Sequence, residues 1–311
     1  MRNLLATTAF AVAALTGTAA FADYPDGPVQ FVIPFPPGDF EDILTRMIAA
    51  DMADATGQSI SVVNRPGGGD GPFPGALEVL EAPNDGSVIG SFVADVVITG
   101  PLIDIGIEND SFVPIGVFLT YPFVLAASGD APYSNMAELA AYAQDNDVVL
   151  GHFGEGITPT NISFAAAKAM DFEFADHAAF DLLDCNTLNA GDADVINTTL
   201  ALIEPCLGDL KILGNIGNEP ISKLEGVETI SAQTGVEELV LWNGLFVTKG
   251  TPQEVVDTIA AIAEKTMAGE AAQQLMAETG AKVYWTGQAE SLELIDGNRA
   301  IAGRIVDSIS Q

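Results

Sequence analysis

Apolar and polar positions switch between two periods along most of this chain. Val29, Phe31, Val32 and Ile33 form a short apolar run, and Ile43, Leu44, Met47, Ile48 and Met52 follow at helical spacing. The first pattern reads as a buried strand over 29–35, the second as an amphipathic helix that stops at Gly57, where a left-handed residue is wanted. A second strand is predicted over 59–63 (SISVV), a short helix over 75–82, and a third strand over 88–93 (VIGSFV). This βαβαβ order implies right-handed crossovers and a parallel sheet.

Residues 112–127 hold two apolar runs separated by TYP, which reads as the crossing into a second lobe. Beyond it the pattern restarts. A helix over 135–144, a strand over 148–153, the loop GEGITPT (154–160) and a helix over 161–170 repeat the opening arrangement. A helix over 182–189, a strand over 194–197, a helix over 198–206 and a strand over 210–214 follow. The chain returns through ELVLWNGLFVT (238–248), a strand long enough to pass between lobes. Thr251 then caps a helix, with Pro252 at its first position and Glu254 completing the reciprocal cap. That helix runs up to Gly280, and a strand over 281–285 and a helix over 289–308 end the chain. Two crossings assign residues 23–120 plus 242–311 to one lobe and 121–241 to the other. The predicted class is α/β, with each lobe a mostly parallel sheet flanked by helices.

Residues 1–22 stand apart. One arginine is followed by an alanine-rich apolar stretch ending in small residues at Ala20 and Ala22, the pattern of a cleaved secretory signal. No later run is long and apolar enough to span a bilayer, so no direct membrane insertion is expected. Charge narrows the partners. With 43 acidic residues against 11 basic ones, the chain lacks the clustered Lys and Arg that phosphate backbones require, which excludes nucleic acid. Such a surface is a solubility feature, and screening by salt leaves room for an anionic ligand in a sheltered cleft. Export also bears on the two cysteines, Cys185 and Cys206, which are predicted to pair. The bridge would close a loop of roughly twenty residues and contribute on the order of 3 kcal/mol.

The candidate site starts at PFPPGDFED (34–42), between the first strand and the first helix. Ligands of open α/β sheets bind outside the carboxyl ends of the strands, and a helix N-terminus offers unpaired amides and a favourable dipole to an anion. Pro36, Pro37 and Gly38 stiffen the turn and let its backbone approach a ligand closely. Asp39 is placed to cap the helix by accepting from an amide near Asp42, and Glu41 and Asp42 suit its first turn. NRPGGGDGPFPG (64–75) lacks the GK[ST] ending of a phosphate loop and reads as packing under the cleft. His152 and His177, the two histidines, precede different elements in no triad or metal-ligand spacing. No G-x-S-x-G, S-x-x-K or H-E-x-x-H occurs, and no metal or cofactor is called for, so an exported hydrolase with a carboxylate pair acting on a sugar stays only a remote alternative.

YPDGPVQFVIPFPPG, NRPGGG, the central GEG loop and WNGLFVTKGTP, taken in this order, resemble the receptor subunits of tripartite tricarboxylate transporters, the Bug-type periplasmic solute-binding proteins. The likeness covers nearly the whole chain after residue 22. It implies a monomeric two-lobed periplasmic-binding-protein-like fold (type II, the Venus flytrap) and no enzymatic activity. It further implies a small organic acid as ligand, delivered in the periplasm to a large and a small membrane subunit. In this family the amides of the first turn hold one ligand carboxylate. Pro34, Phe35, Pro36, Pro37, Gly38 and Asp42 match that pattern. Asp39 stands where a second Gly is usual, and Glu41 where a small hydroxyl residue is common. Either both carboxylates turn away as caps, or the pocket favours a neutral, amino-bearing or aromatic solute, with Phe40 as a stacking face. For the facing lobe the family implies Gly154, Gly156, Thr158 and Thr160 as donors of amides and hydroxyls, although 158–160 also reads as a plain helix cap. Ser91, Asn197 and Thr198 are weaker candidates at predicted strand ends, and Trp242 fits either the core or the cleft. Hinges are expected near 119–122 and 240–243.

Overall fold

The computed structural model describes residues 24–218, 220–237 and 239–310, so the signal segment expected at 1–22 lies outside the described residues. Eleven strands are named in chain order: β1 (Val29–Ile33), β2 (Ile60–Asn64), β3 (Val88–Val93), β4 (Phe112–Thr120), β5 (Phe123–Ser128), β6 (Val149–His152), β7 (Asp176–Ala179), β8 (Val195–Thr199), β9 (Leu210–Ile216), β10 (Trp242–Thr248) and β11 (Lys282–Thr286). They form two sheets. One runs β11-β4-β10-β3-β1-β2 and the other β7-β6-β8-β5-β9. The first underlies one lobe and the second the other.

β1 lies between β2 and β3, parallel to both. Both of its faces are covered, which is why it reads as a nearly unbroken apolar run. Phe31, Val32 and Ile33 are fully buried, as are Leu44, Ile48 and Met52 on the helix that follows. That helix, Phe40–Thr56, ends at Gly57 in the left-handed region, φ 70°, whose amide closes on the Ala53 carbonyl. The helix begins three residues earlier than its apolar spacing indicates.

The sheets are mixed, which corrects the expectation of mostly parallel ones. β10 runs antiparallel to β3 and β4, and β11 antiparallel to β4. In the second sheet β5 is antiparallel to β8 and β9, while β6 is parallel to β7 and β8. The two apolar runs of 112–127 produce this. β4 belongs to the first sheet and β5 to the second, so the chain changes lobes at Tyr121 and Pro122. The return strand does not itself cross. β10 begins at Trp242, entirely in the first sheet, and the passage lies just before it.

Two helix details also differ from expectation. Thr251 donates its hydroxyl to the Thr248 carbonyl rather than capping, and extended Pro252 is the residue before the helix Gln253–Met267. The helix predicted up to Gly280 breaks at extended Gly269 into Gln253–Met267 and Glu270–Thr279. The last helix, Gln288–Ser310, touches both lobes. Its Asn298 and Arg299 bond to Trp242 and the Val97 carbonyl, while Arg304 pairs with Glu237 and Lys168 reaches the Ser308 carbonyl.

Candidate functional site

Between the sheets lies a cavity that opens to solvent. The first lobe supplies the turn after β1 and the end of β3, the crossing supplies Tyr121, and the second lobe closes the far side. Three carboxylates bond across the gap. Thr199 Oγ1 donates to Asp39 Oδ2 at 2.9 Å. The Thr158 amide and hydroxyl both donate to Asp95 Oδ1 at 2.6 Å. The Gly68 amide donates to Asp181 Oδ1 at 2.8 Å. Phe35 and Phe153 meet edge to face at 5.9 Å between centroids, also across the gap. The two sides are thus joined across the cavity.

The turn does not offer its amides freely. Asp39 is the N-cap of Phe40–Thr56, accepting from the Phe40 amide at 2.8 Å. The Gly38 amide is 3.2 Å from Asp42 Oδ2, and Asp42 is also held by Arg46 and Asn64. The other helix that opens on the cleft, Thr158–Ala169, gives its first amide to Asp95. Both helix ends that could hold an anion are occupied by carboxylates of this chain.

Glu41 reaches the cavity from inside the first turn of its helix, 2% exposed. Its Oε2 lies 3.1 Å from the Tyr121 hydroxyl, which is also 3.2 Å from Asn243 Oδ1. Tyr121 has one proton for two acceptors. A protonated Glu41 resolves the conflict by donating to Tyr121, which then donates to Asn243. The chain of bonds continues from Asn243 Nδ2 to Ser91 and on to Thr45, both at 2.8 Å.

Burial pushes Asp39 up to about 6, helped by the charge of Asp42 and opposed by its Phe40 and Thr199 donors. Burial, then the neighbouring charge of Asp39, hold Glu41 well above the usual carboxylate range. Burial also raises Asp95, against its Thr158 and Thr99 donors. All three folded values exceed the unfolded ones, so folding takes up protons. The stability gained is complete below the ordinary aspartate value of 3.8 and fades as pH rises through about 6, later still for Glu41. Ligand-free protein is expected to melt at a lower temperature at about pH 7.5 than at about pH 5. General acidic repulsion has the same sign, so the Asp39→Asn, Glu41→Gln double variant is the control. Scanning fluorimetry should show its pH slope clearly reduced, and an unchanged slope would sink the assignment.

Of the residues singled out in the sequence, Phe35, Pro36, Pro37, Asp39 and Trp242 line the cavity. Trp242 is both wall and core, fully buried and bonded through Nε1 to Asn298 Oδ1 at 2.9 Å. Phe40 is not a stacking face, because its ring is buried in the core of the first lobe. Gly38 and Asp42 serve the turn, and Ser91 lies behind the wall in the Asn243 chain. Thr158 acts as a latch on Asp95, and Thr160 bonds the Gly154 carbonyl, so this loop serves closure and capping. Gly156 lies at φ 76° with open space where a Cβ would stand. Gly154 packs against Gly71 so closely that a Cβ there would stand 3.1 Å from Gly71 Cα. The glycine-rich stretch 64–75 thus meets the facing lobe instead of packing underneath. Asn197 bonds Ser163, and Thr198 bonds the Leu183 carbonyl.

Sequence reasoning passed over Asp95, Tyr121, Thr199 and Asp181. Asp95 follows the carboxyl end of β3, where strand-end acids belong to a site. Thr199 sits one residue beyond the candidate Thr198, on the other face of β8. The histidines do meet, with His152 Nε2 3.0 Å from His177 Nδ1, but outside this cavity. Burial, then His177, lowers His152 to about 4. Cys185 and Cys206 form a disulfide. Among the described residues no group of His, Cys, Asp and Glu could hold a metal ion, and no helix is long and apolar enough to cross a membrane.

The sequence matches the family model "Tripartite tricarboxylate transporter family receptor" over residues 44–310. It is 28% identical over 298 residues to a Pseudomonas sp. (strain P51) protein, "UPF0065 protein in tcbD-tcbE intergenic region", covering 90% of this chain and 86% of that one. A UPF0065 protein of Bordetella pertussis is 26% identical over 316 residues and covers 98% of this chain and 96% of its own. Solved structures share the fold. Rpa4515 of R. palustris with adipate superposes at a TM-score of 0.81 with 21% identity, covering 93% of this chain and 99% of that one. MatC (Rpa3494) from Rhodopseudomonas palustris with bound malate gives 0.78 with 21% identity, covering 92% and 100%. The periplasmic binding protein BugD gives 0.80 with 24% identity, covering 92% and 98%.

Proposed function

The chain belongs to the receptor family of tripartite tricarboxylate transporters, and from that premise we propose that it is exported, captures one small solute between its lobes and presents the closed form to the membrane subunits of such a transporter. One observation carries the reading. A cavity walled by both lobes is shut by hydrogen bonds from Thr199, Thr158 and Gly68 to carboxylates of the opposite side. Such bonds form only on closure, and a ligand drives closure by contacts that the open state lacks. Rotation falls at the two passages between sheets, Tyr121 with Pro122 and the residues before Trp242.

A small organic acid is the cargo that the family suggests, and two neighbours of the same fold are solved with adipate and malate. The cleft of this chain supports the other reading, a solute bearing an amino group. Among the described residues no Lys, Arg or His lines its wall, and the Gly38 and Phe40 amides of its first turn are already engaged.

Protein purified from the periplasm, denatured and analysed by mass spectrometry, is expected to release one small molecule per chain. Adding that molecule back to stripped protein should raise the melting temperature by mass action and leave the molecule unchanged. Conversion to a product would move the protein among the hydrolases, and absence of any saturable ligand would end the receptor reading.

A further inference from the structure

We propose that the inter-lobe cavity takes a small organic cation, with its ammonium group among Asp39, Glu41 and Asp95 and its apolar body against the Tyr121, Phe123 and Trp242 rings. This deepens the receptor reading above and rests on it.

Asp39, Glu41, Asp95 and Asp181 all line the cavity, and among the described residues no lysine, arginine or histidine does. Donors are as scarce as cations. The hydroxyls of Thr199 and Thr158 are spent on Asp39 and Asp95, and the Phe40 and Thr158 amides are spent on the same two carboxylates. An anion entering here would lose its hydration and meet no positive charge in the wall to replace it.

Glu41 points the same way whatever the number of acids around it. It is 2% exposed, yet the one side chain that meets its carboxyl group among the described residues is Tyr121, at Oε2. Beyond that hydroxyl its carboxyl group has only the backbone amide of Glu41 itself for support. Without a ligand that burial is borne by the proton on Glu41, and a positive charge beside it would complete the ionised form instead. Asp95, 4% exposed, likewise has only neutral partners, all on Oδ1.

Aromatic faces attract a desolvated ammonium group electrostatically. Tyr121, Phe123 and Trp242 stand beside the carboxyl groups in the same cavity.

The titratable groups that face Asp39 and Glu41 are Asp42 of the same helix, neutralised by Arg46, Tyr121 at the crossing, Asp95 from the end of β3 and Asp181 from the second lobe. A cation favours their ionised forms, so its binding releases protons and strengthens as pH rises through about 6, the value of Asp39. A carboxylic acid held by protonated Glu41 and Asp39 would show the opposite slope.

Stripped protein is titrated by calorimetry and scanning fluorimetry with sets matched in shape: benzylamine, benzyl alcohol and benzoate, then choline and its neutral analogue 3,3-dimethylbutanol, and finally malate and adipate. The expected result is a melting shift with benzylamine or choline alone, and about tenfold tighter binding at pH 7.5 than at pH 5.5. Glu41→Gln should weaken that binding by about tenfold while leaving unliganded protein at least as stable, which a merely structural Glu41 would not do. A response to malate, adipate or benzoate alone overturns the proposal, and so does a response to none of these compounds. A carboxylic acid released in the mass-spectrometric experiment would likewise remove the cation and keep the receptor.

Discussion

Trp242→Ala is expected to destabilise the protein by about 4 kcal/mol, within the range for emptying a buried tryptophan site. The side chain is fully buried, stacks on Phe246 with centroids 6.3 Å apart, and donates to Asn298 Oδ1 on the last helix. Its carbonyl accepts from the Ala94 amide, beside Asp95, so the same residue ties β10 to the cleft wall. Alanine would leave a cavity that merges with the ligand site and an Asn298 oxygen without its donor. Trp242→Phe separates these effects, keeping most of the packing and losing the hydrogen bond, for about 1 to 2 kcal/mol. Urea unfolding at constant m-value measures both. A loss below about 1 kcal/mol for the alanine variant would show that the ring contributes little to the core.

Removing the Cys185–Cys206 bridge should cost about 3 kcal/mol, because it closes a segment with a sequence separation of 21 residues in the unfolded chain. That segment begins at the helix Cys185–Ala190, runs through β8 with Thr199, and ends in the short 3-10 helix Glu204–Asp209. It therefore carries one of the latches on the cleft. The double Cys→Ala variant should melt well below the parent under oxidising conditions and match it under reducing ones. Ligand preference should survive, since neither sulfur lines the cavity. Equal melting of parent and variant under oxidising conditions would show that the bridge does not restrain the unfolded chain.

Much of the frame was legible because local chemistry and burial agree there. The run at β1, the proline turn and Gly57 each follow from short-range rules and appear where those rules put them, and Asp39 is the cap, although it accepts from the adjacent Phe40 amide and not from one near Asp42. β7 was missed for the converse reason. It is an edge strand of four largely exposed residues, with no apolar alternation to reveal it. Sheet direction was misjudged because alternation of strands and helices says nothing of a long return, and β10 inserts between β3 and β4 from the far end of the chain. The site divides in the same way. The turn residues were readable from their order, whereas Asp95, Tyr121 and Thr199 become one site only through closure of two lobes. Register decided Thr199 over Thr198, and tertiary packing decided that Phe40 went inward.

The contact of Gly71 with Gly154 has a consequence for movement. Backbone touches backbone at that point, so a single alanine at 154 would press on Gly71 from across the gap and ask the two sides to part by a few tenths of an ångström. It would also strain its own loop, because Gly154 lies at φ 151°.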